Sequence, residues 1–253
     1  GHCDAGQFFY EAQGVRWAID LGAENYNLYQ AMNDRNEEKS KWSYYRYRAE
    51  GHNTWVINPD SGMDQEMAAS AVIEKVGEGT ETAFAIADLS SAYTTDAESV
   101  KRGLYLDRSS QSLLIRDELQ LKRESELYWF MHTRADITLS EDKKSAILTQ
   151  SDDGGTLRRL WVGLTSGDGE FQVMDARPLP TSPDPDSWPE NQDNLGDGNN
   201  PKTQNSNAGV SKLAVHYTGS PLQVKQSVYM IPLEEGQEGP GERPDYGGLE
   251  EWE

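Results

Sequence analysis

The sequence predicts an all-β protein, an antiparallel multi-stranded β-sandwich, and three observations carry that prediction. Apolar residues recur at every second position in Leu127-Trp129-Met131, Leu160-Val162-Leu164 and Leu213-Val215-Tyr217, the period of a strand with one buried face. Asp, Ser, Gly and Lys punctuate the intervals between such runs, as turns require. No apolar pattern of helical period persists over helical length. So many short strands imply stacked sheets of several strands each, a supersandwich-like arrangement.

Residues 7–12 and 14–21 read as a hairpin turned at Gln13-Gly14, with Val15, Trp17 and Ile19 along one face. Gly22–Lys41 is polar and reads as a long loop or short helix. Trp42–Ala49 reads as a strand, Tyr45 and Tyr47 set against Tyr44, Arg46 and Arg48. Such a strand can stack on sugar rings and pair with acidic groups, or seal a core edge; the residue types suit both. Thr54–Asn58 is a short strand stopped by Pro59-Asp60-Ser61-Gly62. Further strands are expected at Ser70–Val76, Thr82–Asp88, Val100–Leu106, Ser112–Leu119, Glu126–Thr133, Ile137–Leu139, Ala146–Gln150, Thr156–Leu164, Glu170–Met174, Lys212–Tyr217 and Leu222–Met230.

Two stretches break the rhythm. Arg177–Gly209 is rich in Pro and Asn, with only Leu179, Trp188 and Leu195 as sizeable apolar residues, and reads as a long surface excursion held by few anchors. From Glu234 on, eight acidic residues stand against Arg243 alone, the composition of a flexible, solvated tail. The expected division is therefore a β-sandwich domain over 1–233 and an acidic tail over 234–253.

Composition narrows the function. A net charge of −20 argues against nucleic acid as a partner. No window approaches the apolar run a membrane helix needs, so no membrane is expected. The single cysteine, Cys3, excludes an internal disulfide and reads as a buried bystander, although it flanks His2. His132 and His216 fall on expected strands and read as hydrogen-bonded core residues. No phosphate loop, Cys-x-x-Cys pair or nucleophile elbow is present.

The first fifty-odd residues hold the most specific signal. His2, Asp20 at the end of an apolar strand, and His52 are donor types that a borderline-soft divalent ion takes, with one position left over. The string His2-x-Asp4-x-Gly6-x-Phe8, the run Gly14-x-Arg16-Trp17-Ala18-x-Asp20-Leu21-Gly22 leading to Tyr26, then Trp42 with its aromatic-basic run and His52-Asn53-Thr54, resembles the C-terminal β domain of heparinase II/III-like polysaccharide lyases. The resemblance is dense over residues 2–58 and thins to a β-rich pattern beyond. It implies that His2, Asp20 and His52 ligate a structural metal, usually zinc. It implies further that the family's catalytic histidine would fall one residue before Gly1.

The function this implies is the metal-stabilised C-terminal domain of a lyase that cleaves uronic-acid-containing polysaccharide by β-elimination, in the periplasm or secreted. Its partners would be the acidic polysaccharide and an N-terminal α-helical toroid domain of the same protein. Tyr26, Arg46 and Arg48 are the expected substrate contacts. Without the toroid and that histidine, the chain is expected to be inactive alone. The alternative is a non-catalytic carbohydrate-binding or structural β-sandwich module.

Overall fold

The computed structural model describes residues 1–28, 41–188, 203–241 and 245–253, and the backbone of 196–197 and 200–201. Its strands in chain order are β1 (Tyr10–Ala12), β2 (Val15–Ala18), β3 (Trp55–Ile57), β4 (Val72–Glu78), β5 (Thr82–Asp88), β6 (Ala97–Asp107), β7 (Ser112–Leu121), β8 (Leu127–Thr133), β9 (Asp136–Leu139), β10 (Ser145–Ser151), β11 (Leu157–Ser166), β12 (Glu170–Asp175), β13 (Gly196–Asp197), β14 (Asn200–Pro201), β15 (Ser211–Tyr217) and β16 (Gln223–Leu233). An eight-stranded sheet in the order β4-β5-β6-β7-β16-β11-β10-β9 faces a four-stranded sheet in the order β12-β15-β8-β3, and every pairing is antiparallel. The expected all-β sandwich is the fold, and each expected strand from Ser70 onward has its counterpart.

Alternation decides which residues meet between the sheets. Trp55, Ile57, Leu127, Trp129, Met131, Leu213, Val215 and Tyr217 from the small sheet bury against Val100, Ile115, Leu119, Leu160, Val162, Val228 and Met230 from the large one. The hairpin β1–β2 packs its Tyr10, Ala12, Val15 and Trp17 into the same core. Its turn places Gln13 and Gly14 both at positive φ (52° and 73°), the geometry a two-residue hairpin favours.

Two expectations change. Trp42–Ala49 is a series of single 3₁₀ turns, Lys41–Ser43, Tyr45–Tyr47 and Ala49–Gly51, in place of a strand. Ser43 through Arg46 are all buried, so the aromatic-basic alternation does not divide a buried face from an exposed one. Tyr44 packs with Leu28, whereas Tyr45 packs with Ile19, Ala176 and Val210, so neighbouring tyrosines serve two different clusters.

The second concerns the acidic end. Leu249 and Trp252 are buried, and with half-buried Tyr246 they cover the outer face of the large sheet over Phe84, Ile86, Leu114 and Tyr229. Three apolar side chains supply the burial that the charge count conceals. In the expected excursion Arg177–Gly209, Leu179 is buried against Cys3, Phe130 and Ala214; residues 189–195, 198–199 and 202 lie outside the described set, as do 29–40 of the earlier polar stretch. No described helix is long and apolar enough to cross a membrane.

Candidate metal centre

The N-terminal loop and the 52–54 segment are knitted together by polar side chains. Asn53 donates through Nδ2 to the carbonyls of Phe8 (2.8 Å) and Ile19 (2.9 Å), and its Oδ1 accepts from the backbone N–H of His132 at 2.7 Å. Thr54 Oγ1 donates to the Ala5 carbonyl at 2.6 Å. Gly6, at φ 85°, allows this approach: a Cβ there would stand 2.6 Å from Leu89 Cδ1. From the large sheet, Arg102 reaches through Nη1 to the carbonyls of Gly6 (2.6 Å) and Asn53 (2.9 Å), while Nε and Nη2 make a two-pronged ion pair with Asp117 at 2.7 and 2.9 Å. Both partners of that pair are buried.

On this frame His2, Asp20 and His52 converge. His52 Nδ1 lies 2.9 Å from Asp20 Oδ2, and the His2 and His52 rings are 5.2 Å apart between centroids. Asp20 also accepts from Gln7 Nε2 at 3.2 Å and from the Gly22 N–H at 2.7 Å. Burial pushes the Asp20 carboxyl up, but the hydrogen bonds from His52 and Gly22 outweigh it and hold it below its ordinary value. Burial and the neighbouring His52 hold His2 low, so its imidazole is neutral.

With Asp20 bonded at Nδ1, the other ring nitrogen of His52 is Nε2, and that atom is buried with no hydrogen-bond partner. An orphaned buried ring nitrogen on His52 beside the His2 imidazole is a donor set that suits a zinc-class ion, with Asp20 fixing the His52 ring from behind as carboxylates commonly do. In this conformation no three His, Cys, Asp or Glu side chains among the described residues stand at coordination spacing. Cys3 is buried, and burial pushes its thiol up to about 12, so it is a neutral bystander.

The expected substrate contacts separate. Tyr26 is 74% exposed, and half-buried Tyr47 beside it packs edge-on against His2 with ring centroids 4.6 Å apart. Arg46 and Arg48 are instead buried. Arg46 donates to Leu21 O, to Ala23 O (3.0 Å), to Ser206 O (3.1 Å) and to Asn207 Oδ1 (2.8 Å), clamping the loop after β2 to the 203–207 segment. Arg48 pairs with Glu50 at 3.0 Å and Asp64 at 3.2 Å, while Glu50 accepts from Leu179 N and Ser182 Oγ. A glycan would reach either guanidinium only by displacing these partners. Sequence reading credited them with ligand contact because an aromatic-basic run looks the same whether it faces solvent or folds inward.

His132 is fully buried, with Nε2 2.8 Å from Tyr45 Oη and Nδ1 3.1 Å from Asn53 Oδ1, so it supports the site from beneath. His216 lies 2.8 Å from Glu126 and stacks on Tyr128 elsewhere on the small sheet. Asn53, Arg102 and Asp117 escaped sequence reading. The His-Asn-Thr string was a signal for Asn53; nothing local marks the other two.

An antiparallel sandwich of an eight- and a four-stranded sheet, with an N-terminal loop that gathers two histidines and an aspartate, defines the class of domain. The chain belongs to the heparinase II/III-like, C-terminal family, whose description matches residues 1–226. Among solved structures it is similar to a heparinase III, the BT4657 gene product, with a TM-score of 0.63 and 12% identity over 95% of this chain and 32% of that one. It is similar also to the heparan sulfate lyase HepC from Pedobacter heparinus, with a TM-score of 0.62 and 12% identity over 95% of this chain and 32% of that one. A further heparinase III matches with a TM-score of 0.62 and 14% identity over 92% of this chain and 30% of that one. The chain thus spans about a third of the length of the structures it matches. No curated protein matches it.

Proposed function

We propose that this chain is the metal-stapled β domain of a polysaccharide lyase that cleaves uronic-acid-containing glycans by β-elimination, and that it is inactive by itself. The observation that carries the reading is the convergence of His2, Asp20 and His52, with the orphaned His52 Nε2, next to exposed Tyr26. A zinc-class ion held there by His2 and by Nε2 of His52, with Asp20 orienting the His52 ring, would tie the N-terminal loop to the 52–54 segment. Its contribution is structural.

The same geometry supports a role for each of the other residues. Elimination needs a base at the C5 proton, an acid at the C4 oxygen and donors for the developing enolate. A metal-held imidazole has no lone pair left to take a proton, so His2 and His52 are unsuited as bases. His132 has both nitrogens engaged and is sealed from solvent. Tyr26 and Tyr47 supply amphipathic rings on which a sugar can rest, and Arg46 and Arg48 keep that wall in place. The base and acid belong to the remainder of the protein, an N-terminal toroid domain, and the periplasm or exterior is the fitting compartment.

The test is ultraviolet absorbance of the unsaturated product on alginate, heparan sulfate, hyaluronan and pectin. The chain alone should release none, whereas the full-length protein should act on at least one. Turnover by the chain alone would overturn the division of labour. A full-length protein that binds these glycans and cleaves none would favour a binding module.

A further inference from the structure

The large sheet carries a cavity on its outer face, the side opposite the one from which Arg102 reaches the N-terminal loop. Along β6, Arg102 points inward to the Gly6 and Asn53 carbonyls, and the next residue, Gly103, faces Leu249 and Trp252 of the C-terminal segment. On that outer face Leu114, Arg116, Thr165, Ser166, Ser227, Tyr229 and residues 245–248 enclose a cavity of about 400 Å³. That size lies within the range of roughly 300–1,000 Å³ usual for small-molecule sites. The register shift between Leu164 and Ser166 in β11 opposite Ser227 is a bulge of the kind that re-aims side chains. Residues 245–248 lie beyond the stretch matched by the family description.

The walls have a definite chemistry. Arg116 donates through Nη1 to Ser166 Oγ (3.0 Å) and Ser227 Oγ (2.9 Å) and through Nε to Glu118 (3.2 Å). Its Nη2 has no hydrogen-bond partner among the described residues. Tyr246 stacks on Tyr105 at 4.0 Å between centroids, and Tyr229 lines the floor. Arg116 and Lys225 stand against Glu118 and Asp245, so the cavity is close to charge-balanced. The Thr165 and Ser166 hydroxyls donate to the carbonyls of Ser227 (3.4 Å) and Lys225 (3.5 Å), whereas the Ser227 hydroxyl accepts from Arg116 and keeps its proton free. A free guanidinium nitrogen, that hydroxyl and tyrosine rings together match a pyranose, which offers acceptor oxygens around a flat, partly apolar ring.

We propose that this cavity is a second, non-catalytic glycan subsite that holds one sugar unit between Arg116 and Tyr246, roofed by the C-terminal segment. Acceptor oxygens of the sugar engage Arg116 Nη2 and the Ser227 hydroxyl, and a sugar hydroxyl donates to Thr165 Oγ1. The site needs no elimination chemistry, so it stands or falls separately from the lyase reading.

The test is calorimetric titration of the full chain with cellohexaose as the neutral probe and hexamannuronate as the acidic one, followed by hydrogen-exchange footprinting. At least one should bind and protect 114–116, 227–229 and 245–248, and the stronger of the two identifies the sugar type. Arg116→Gln removes the donor, and Thr165→Trp fills the cavity without touching the Arg116 bonds. Each should weaken that binding at least tenfold, with the melting temperature of Thr165→Trp confirming that the chain is folded. Binding of neither probe, a footprint confined to the His2–Tyr26 side, or affinity unmoved by Thr165→Trp would overturn the proposal, as would inorganic sulfate binding as tightly as the sugars.

Discussion

Replacing Asp117 with Ala tests how the large sheet holds the N-terminal loop. Arg102 and Asp117 are 3% and 0% exposed, joined by two short bonds, and the guanidinium also carries the Gly6 and Asn53 carbonyls. Removing the carboxylate leaves a buried, uncompensated cation, a change that costs about 3–5 kcal/mol. For a domain of this size, each kcal/mol lowers the melting temperature by roughly 2–4 °C, so the expected loss is roughly 6–20 °C. Urea unfolding followed by the fluorescence of the seven tryptophans measures it. The loss should come with faster amide exchange at residues 2–8, because Arg102 freed of Asp117 no longer holds the Gly6 carbonyl in place. Arg102→Met combined with Asp117→Leu should recover much of the stability, since a buried pair replaced by apolar groups of similar volume is often neutral. A loss for Asp117→Ala below about 1 kcal/mol, the size of an ordinary substitution, would refute the reasoning.

Three further outcomes are expected. Chelation should lower the melting temperature of metal-loaded protein, and His52→Ala should abolish that sensitivity; elemental analysis showing no stoichiometric divalent metal would count against the site. Burial, with Lys212 and His52 nearby, holds His132 well below its ordinary value, so beneath pH of about 6.5 the unfolded chain takes up a proton that the folded chain refuses. The stability conferred by a neutral His132 is complete above that pH and lost as pH falls, so the loss between pH 7.5 and 5.5 should be smaller in His132→Gln than in the parent. Gly103→Ala would place a Cβ 2.3 Å from Leu249 Cδ2 and 2.5 Å from Trp252 Cζ3, so it should release the C-terminal segment. Limited proteolysis would then remove residues after Leu233 first, at a stability cost of about 1–3 kcal/mol.

The sequence by itself determined the fold class and the family. Alternation in Leu127-Trp129-Met131 or Leu213-Val215-Tyr217 is a local pattern, and it settles which face of each strand is buried wherever the strand lies. The proximity of His2, Asp20 and His52 was legible because a family resemblance carried long-range information that spacing lacks. The tertiary structure alone decided the rest. It turned Trp42–Ala49 into 3₁₀ turns, because Tyr44 and Tyr45 are drawn into clusters built by distant residues, and it buried Arg46 and Arg48, whose partners include Asn207 and Ser182 far along the chain. It also seated Leu249 and Trp252 on Gly103 and Phe84 despite the acidic run around them. Charge and period are summed along the chain, whereas burial depends on which surfaces meet, and segments without regular period carry no local record of their partners.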